Sequence, residues 1–193
     1  MRYLIFLLLT FNSLNFLLAC SCERIDSSNV QDWIADADFV VEGQYITNLN
    51  PNSAVRERWN SENKGFDVLF LVTRVIKGSI PKDTIAIVQF ENGSCLTTFE
   101  KDNKYIILGE HVRRFKCQDI EKPTVDSTGE YPPTDDFLPA SYVDEHGTMN
   151  YSYCNEKESN YWNNILDNYL ILYTSYCTTY LANSKAGELI GRK

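Results

Sequence analysis

Six cysteines are the residues of this 193-residue sequence with the clearest chemistry, and two of them stand one residue apart near its beginning. They are Cys20, Cys22, Cys95, Cys117, Cys154 and Cys177. Exported proteins join cysteines into disulfides, whereas cytosolic proteins keep them reduced for catalysis or metal binding. Because their number is even and the chain is small, the set predicts three disulfides, provided that the chain leaves the cytosol.

The residues before Cys20 predict that the chain is exported. A single positive charge, Arg2, precedes an apolar stretch, and the small residue Ala19 stands directly before Cys20, as in a secretory signal peptide. A membrane span needs about 20 apolar residues. The stretch here is interrupted by three polar residues, Asn12, Ser13 and Asn15. We therefore expect a signal peptide over residues 1–19, no transmembrane span, and a mature protein that is secreted or periplasmic.

Cys20 itself has two mutually exclusive interpretations. Residues 17–20 (Leu-Leu-Ala-Cys) resemble a bacterial lipobox, in which the cysteine sulfur is joined to diacylglycerol and the amine is acylated. That modification leaves five thiols and one cysteine without a partner, and Leu18 is large for its place in such a motif. The even number of cysteines therefore favours cleavage without lipidation, which leaves the Cys20 amine free. The alternative is a lipoprotein anchored to a membrane at Cys20.

Charge and motifs argue against several classes of function. The sequence has 26 acidic residues and 18 Lys or Arg, a net charge of −8, which argues against a nucleic-acid partner. The two histidines, His111 and His146, belong to no metal-ligand spacing. The sequence contains no glycine-rich phosphate loop and no G-x-S-x-G nucleophile motif. It therefore predicts neither an enzyme nor a resident metal or cofactor.

The elements that must position the cysteines are mainly strands. Runs of β-branched and aromatic residues predict five strands, at residues 38–46, 66–77, 84–90, 95–99 and 105–109. Before them, residues 30–37 place four apolar side chains at helical spacing, which predicts a short helix capped by Ser27 or Ser28. Five short strands in meander order, with almost no helix among them, indicate an all-β fold, a small barrel such as the OB-fold.

The second half of the chain has a different character. Residues 118–148 hold four of the six prolines and predict an inserted, irregular loop. Residues 161–173 place tyrosine, leucine and isoleucine on one stripe, which predicts an amphipathic helix that Ser159 caps and that lies against the barrel. We expect one domain over residues 20–177 and a C-terminal tail over residues 178–193.

One known family has the same order of segments. The start Cys20-Ser21-Cys22, a short helix and then Ala37–Gly43 resemble the netrin-like module, the OB-fold of the tissue inhibitors of metalloproteinases and of many exported bacterial proteins. Further similar segments follow in order: Phe70–Gly78, Gly93–Phe99, Asp102–Gly109 and Tyr153-Cys154. The resemblance is closest to the single-domain bacterial type. It implies a five-stranded OB-fold barrel with a short N-terminal helix and a C-terminal helix packed on it.

The resemblance also implies an activity and a partner. In the inhibitors, the α-amine and carbonyl oxygen of the N-terminal cysteine chelate the catalytic zinc of a zinc metalloprotease. By that resemblance Cys20 would displace the zinc-bound water, Ser21 would enter the specificity pocket, and Cys22 would complete the rigid inhibitory edge. A catalytic zinc keeps an open position, and an α-amine with a pKa near ~7.7–8.0 has a neutral fraction at neutral pH. Acylation of the Cys20 amine would abolish this activity.

A set of disulfides follows from the same resemblance. It implies the pairs Cys20 with Cys95, Cys22 with Cys154, and Cys117 with Cys177. The resemblance supports the first pair more strongly than the second, since Cys117 could take the place of Cys154. Six cysteines allow about 15 connectivities, so the sequence by itself leaves the choice open.

The sequence departs from the animal inhibitors in ways that favour a second interpretation. Glu23-Arg24-Ile25 stands where those proteins have the apolar Val-Pro-Pro segment that packs along the protease cleft, and their second domain has no counterpart. The alternative function is an exported netrin-like binding module without inhibitory activity, in which the Cys-x-Cys only staples the fold. A fold does not imply a function, so both remain hypotheses.

Overall fold

The structure is a computed structural model that describes residues 22–49, 63–89, 96–118, 142–152 and 156–193. Several predictions lie outside these residues. They are the signal peptide over residues 1–19, the roles of Cys20 and Ser21, the pairing of Cys95, and the loop over residues 119–141. The pairing of Cys20 with Cys95 therefore stays a prediction.

The described ranges contain short helices and eleven strands. The helices are α1 (Val30–Asp36), α2 (Glu156–Asn168) and α3 (Lys185–Gly191), with a 3-10 turn at Tyr176–Thr178. The strands are β1 (Phe39–Asn48), β2 (Lys64–Gly65), β3 (Val68–Lys77), β4 (Thr84–Val88), β5 (Phe99–Glu100), β6 (Lys104–Val112), β7 (Arg114–Gln118), β8 (Tyr142–Val143), β9 (Thr148–Ser152), β10 (Ile171–Tyr173) and β11 (Thr179–Leu181).

Five of these strands close into a barrel, in the order β1, β3, β4, β10, β6 and back to β1. Neighbouring strands are antiparallel except β4 and β10, which are parallel. The closing pair is β1 and β6, whose register runs from Phe39↔Gly109 to Gln44↔Lys104. The prediction of an all-β barrel with a few short helices is therefore confirmed.

The interior of the barrel is filled by alternate residues of each strand. In β3, Val68, Phe70 and Val72 are buried, because successive side chains of a strand point to opposite faces. They meet buried residues of the other barrel strands, among them Tyr45, Ile85, Ile107 and Leu172. β-Branched and aromatic residues suit such a pleated, buried surface, which is why these strands are readable in the sequence.

Gly43 is required where β1 and β3 approach most closely. A Cβ atom at this position would lie 2.1 Å from the carbonyl oxygen of Leu71 and 2.6 Å from the ring of Phe70. The register of the two strands also shifts between Glu42 and Gly43. An irregularity of this kind bends a strand, and in a small barrel the bend brings the next strand round to close the sheet.

The predicted meander is wrong, because the fifth barrel strand comes from a different part of the sequence. Of the segment 95–99, Phe99 belongs to the short strand β5, which pairs with β2 outside the barrel sheet. The fifth barrel strand is β10, which lies between β4 and β6. Its Ile171 and Leu172 are fully buried.

The predicted helix over residues 161–173 is correspondingly wrong at both ends. The helix is α2, which begins at Glu156, so Ser159 lies inside it and not at its cap. It ends at Asn168, and the backbone N–H of Tyr169 still donates to the carbonyl oxygen of Ile165. From Leu170 onward the backbone bonds to the barrel, where its carbonyl accepts from the N–H of Ala86.

A second apolar layer covers the outer face of β4 and β10. It is formed by α2 and by the sheet β7-β9-β8, with Phe115 and Trp162 stacked at 5.3 Å between ring centroids. Residues 142–148 were expected in an irregular loop, but they form β8 and the turn into β9. Gly147 takes a positive φ of 77° in that turn.

A third apolar cluster lies on the outer face of β1 and β6. Ile25, α1 and α3 pack there against Val40, Ile106 and Leu108. Within α3, Ile190 is fully buried, and β11 pairs with β6. Residues 178–193 are therefore part of the packed fold, and the predicted C-terminal tail is wrong. In the ranges that the structure describes, no helix is long and apolar enough to cross a membrane.

Candidate functional site

The predicted site is the segment Cys20-Ser21-Cys22, of which the structure describes Cys22. Cys22 forms a disulfide with Cys177, at a Cα–Cα distance of 5.3 Å. Cys177 lies in the 3-10 turn between β10 and β11. Because β10 closes the barrel beside β6, this turn is brought to the face where the N-terminal segment begins.

This bond corrects the predicted connectivity. Cys22 with Cys154 and Cys117 with Cys177 are both wrong, since Cys22 and Cys177 bond to each other. Cys117 is also disulfide-bonded. The physical reason is the layer in which each cysteine lies: Cys117 belongs to β7 in the outer three-stranded sheet, whereas Cys177 follows the last barrel strand.

Hydroxyl groups hold the turn that carries Cys177. Ser175 and Thr178 form a reciprocal capping box, and the Thr174 hydroxyl contacts those of Thr178 and Thr179 at 2.9 and 2.8 Å. The phenol of Tyr180 donates to the carbonyl oxygen of Cys177. Burial raises the pKa of Tyr180 to about 12, so the phenol remains a donor throughout the physiological range.

The N-terminal segment, meaning residues 22–26, is anchored to the barrel at a second point. Glu23 and Arg24 are exposed, whereas Ile25 is only 3% exposed and packs in the cluster with Val30 and Ile190. Ile25 is therefore part of this protein's own core.

A turn joins this segment to α1. The N–H of Asp26 donates to the side-chain oxygen of Asn29 at 2.9 Å, and Ser28 donates to the Asp26 carboxylate through both its N–H and its hydroxyl. These bonds from Ser28 lower the pKa of Asp26 below its usual value, because they favour the ionised form. The Asn29 amide donates to Glu23 Oε1 at 3.2 Å and to the carbonyl oxygen of Arg24 at 3.0 Å.

The other end of α1 is held by a lysine from the barrel. The ammonium group of Lys77, at the end of β3, donates to the carbonyl oxygens of Ala35 and Ala37. A positive charge at a helix C-terminus satisfies its unpaired carbonyls and complements its dipole. The helix therefore has a fixed place on the barrel, and so does the turn that precedes it.

A cleft of about 440 Å³ lies beside the disulfide, between α1 and β6. Thr178 and the indole of Trp33 line it together with four acidic residues, Glu23, Asp32, Asp36 and Glu110. None of the four carboxylates forms an ion pair with another described residue. The surface next to Cys22 and Cys177 is therefore negative.

Two neighbouring groups on β6 have shifted pKa values, and the first of them, Glu110, lines the cleft. Partial loss of hydration raises the pKa of Glu110, and the nearby charge of Asp38 raises it further. Burial lowers the pKa of His111, with a further contribution from Arg113, whose Nε donates to His111 Nδ1 at 3.2 Å. The described residues contain no group of three or more His, Cys, Asp or Glu that could hold a metal ion.

Sequence reasoning missed several residues of this site. Asn29 is the helix N-cap, where Ser27 or Ser28 was expected, and its side chain makes no bond to the helix. The preference for Asn at a helix N-cap would have predicted the position of Asn29, but not that its side chain bonds the N-terminal segment. No sequence motif indicated Glu110 or Lys77 as residues of the site, because only the closed barrel brings them next to α1.

Comparison of the chain with protein-family models, curated proteins and solved structures found no match. The class of protein is therefore defined by the fold and the site themselves. It is a disulfide-bonded, five-stranded all-β barrel with its N-terminal segment fixed on the outside, beside an acidic cleft.

Proposed function

We propose that this chain is an exported netrin-like protein whose barrel is an OB-fold, and that it inhibits zinc metalloproteases through the α-amine and carbonyl oxygen of Cys20. The strand order supports the fold assignment. Numbered along the chain, the barrel strands lie in the order 1-2-3-5-4, with the fourth paired to the first. OB-folds have five strands in a Greek-key connection, so this strand order supports the assignment. The Cys22–Cys177 bond supports export, since disulfides persist in oxidising compartments.

The observation that carries the proposal is the anchoring of Cys22. Its bond to Cys177 fixes the chain to the barrel two residues after the candidate chelating residue. Two trans peptide units span at most about 7 Å, so Cys20 is held within that distance of a fixed point. A fixed terminus loses little conformational freedom when it binds, which is what a two-atom chelating group requires.

The chemistry follows from the amine and the metal. A neutral α-amine has a lone pair, and with the carbonyl oxygen of the same residue it closes a small ring on a metal ion. A catalytic zinc has one open position, normally held by water, which these two ligands would displace. The α-amine has a pKa near ~7.7–8.0, so inhibition should weaken as the pH falls below neutrality and the amine protonates.

The charge beside the terminus narrows the choice of protease. Glu23 is exposed directly after Cys22, and the acidic cleft continues the negative surface. Like charges across an interface disfavour binding, whereas opposite charges speed association. We therefore expect targets whose active-site rim is basic, and inhibition that weakens as salt is added.

The test compares two forms of the mature protein that begin at Cys20, one with a free amine and one with an acetylated amine. Both are assayed against a panel of purified zinc metalloproteases chosen for basic and for acidic rims. We expect the free form to inhibit and acetylation to raise the inhibition constant at least about 100-fold, as loss of a metal ligand should. Equal inhibition by both forms would contradict chelation, and no inhibition by either would contradict the inhibitor function.

A second candidate function is a netrin-like binding module without inhibitory activity. It is favoured by the burial of Ile25, which leaves the exposed part of the segment charged and not apolar. The third possibility is the lipoprotein, in which the Cys20 amine is acylated. The intact mass of the exported protein distinguishes it, because acyl groups add hundreds of daltons whereas three disulfides remove only about six.

A further inference from the structure

We propose that Asn29 is a positioning residue that holds residues 23–26 and thereby orients Cys22 on the barrel; as a contribution to inhibition, this role rests on the proposed function. Asn29 lies four residues beyond Ile25 and precedes α1. Its side chain reaches back to three residues of the N-terminal segment, Glu23, Arg24 and Asp26.

The hydrogen bonds of Asn29 use the whole side-chain amide. The oxygen accepts from the N–H of Asp26 at 2.9 Å. The nitrogen donates to the Arg24 carbonyl oxygen at 3.0 Å and to Glu23 Oε1 at 3.2 Å. An amide offers two N–H donors and one acceptor oxygen with two lone pairs; both donors and the oxygen bind the N-terminal segment.

These bonds act on the part of the segment that lies between its two fixed points. The disulfide holds Cys22, and burial holds Ile25. Between them, Glu23 and Arg24 are exposed. Asn29 is the residue that bonds both of them, one through its side chain and one through its carbonyl oxygen.

Asn29 occupies the N-cap position of α1, but its side chain does not cap the helix. An asparagine at a helix N-cap ordinarily accepts a hydrogen bond from the N–H of the second or third helical residue, which stabilises the helix. Here Asp32 and Trp33 donate to the backbone carbonyl of Asn29, and the side chain makes no cap bond. The helix is left without its side-chain cap, while the segment that leads to Cys20 is held.

The experiment uses the variant Asn29→Ser in the mature protein. Serine is a favourable N-cap but is too short to reach Glu23 or the Arg24 carbonyl oxygen. A purely structural role and the positioning role therefore predict different results. We expect Tm to stay within about 3 °C of wild type. Exchange of the Asp26 amide hydrogen, which is bonded to the Asn29 side-chain oxygen in wild type, should become at least about tenfold faster, since that hydrogen bond is lost. Inhibition should weaken by a similar factor.

Two matched controls accompany it. Asn168→Ser removes the same kind of bond, from a side-chain amide to the carbonyl oxygen of Asn164, at the far end of α2. It should leave the exchange of residues 23–26 and inhibition unchanged. Glu23→Gln keeps an acceptor for the Asn29 amide but removes the negative charge. It should leave the exchange of residues 23–26 unchanged, so any effect on inhibition comes from the charge of Glu23 and not from the position of the segment.

Two results would overturn the proposal. One is wild-type exchange of the Asp26 amide hydrogen in Asn29→Ser. The other is faster exchange with unchanged inhibition, which would show that the position of the segment does not matter to the target. If the wild-type protein inhibits no protease, the proposed function fails, and the exchange measurement still decides whether Asn29 fixes the segment.

Discussion

Cys22 and Cys177 are separated by 155 positions in the sequence, yet their Cα atoms lie 5.3 Å apart and a disulfide joins their side chains. The bond connects the N-terminal segment to the turn that directly follows β10, the strand that completes the barrel. The presentation of the N-terminus and the closure of the barrel are therefore linked. Each of the following predictions concerns one contact that maintains this arrangement.

The disulfide should make a large contribution to stability. In the double variant C22S/C177S we expect the free energy of unfolding to fall by about 3–5 kcal/mol, because the unfolded chain regains the freedom of a long loop. Tm should fall by roughly 10 °C. Calorimetry of the double variant avoids a stray thiol that could exchange with other disulfides. A Tm within about 3 °C of wild type would show that the bond does not constrain the unfolded state.

Gly43→Ala should be the most damaging of the small substitutions in the barrel. The added Cβ would lie 2.1 Å from a backbone oxygen of Leu71, and the paired strand cannot move without opening the barrel. We expect a loss of about 3 kcal/mol or more in urea unfolding.

Gly191→Ala is the matched control for Gly43→Ala. Its nearest neighbour would be the flexible end of Arg74, at 3.0 Å, and the residue ends α3. Stability should change by less than about 1 kcal/mol. Equal effects of the two variants would contradict the close approach of β1 and β3.

Ile190→Ala tests whether α3 belongs to the folded domain. Ile190 is fully buried against Ile25 and the outer face of β6. Removing its side chain should cost about 2–4 kcal/mol in the free energy of unfolding. Leu181→Ala, at a side chain that is 41% exposed, should cost much less and serves as the control. If both variants unfold like wild type, residues 178–193 do not contribute to the core.

Glu110→Gln should raise stability at neutral pH but not in acid. The folded-state pKa of Glu110 lies above its ordinary value of 4.5, so the folded state disfavours its ionised form. Ionising Glu110 therefore lowers the free energy of unfolding of the wild-type protein. The loss is absent below pH 4.5 and is complete once the pH has risen above the folded-state pKa. Because glutamine cannot ionise, the variant does not lose this stability.

The measurement for Glu110→Gln is Tm as a function of pH. The Tm of the variant should exceed that of wild type at pH 7, and the difference should disappear below pH 4.5. The His111 pKa is lowered, so its protonation destabilises the fold as the pH falls through 6.5, in both proteins alike. Glu145→Gln, in an exposed turn, controls for the loss of one negative charge. A difference that grows in acid would contradict the direction of the Glu110 shift.

Much of the fold was readable because side-chain pattern and final environment agree. The strands β1, β3, β4 and β6 and the helix α1 were predicted to within a few residues. In each of them the apolar residues are the ones that the barrel interior or its outer clusters bury. The even number of cysteines likewise predicted disulfides, and the described cysteines are all bonded.

The residues around β10 could be interpreted in two ways. The run from Tyr169 to Tyr173 continues the apolar stripe of α2, and a short apolar run fits a helix and a buried strand equally well. The barrel decides between them, because β4 and β6 leave their edges open on either side and the strand satisfies both with backbone hydrogen bonds.

The sequence alone therefore determined the class of fold, the presence of disulfides and the place of the first helix, since these depend on residue type and local spacing. The tertiary structure decided which segment closes the barrel, that Cys22 bonds Cys177, and that Asn29 serves the N-terminal segment and not its helix. The first two depend on which residues meet across the closed sheet, and contacts between residues far apart in the chain leave no periodic pattern in the sequence. The role of Asn29 depends on the path of the N-terminal segment, which the Cys22–Cys177 bond and the burial of Ile25 set.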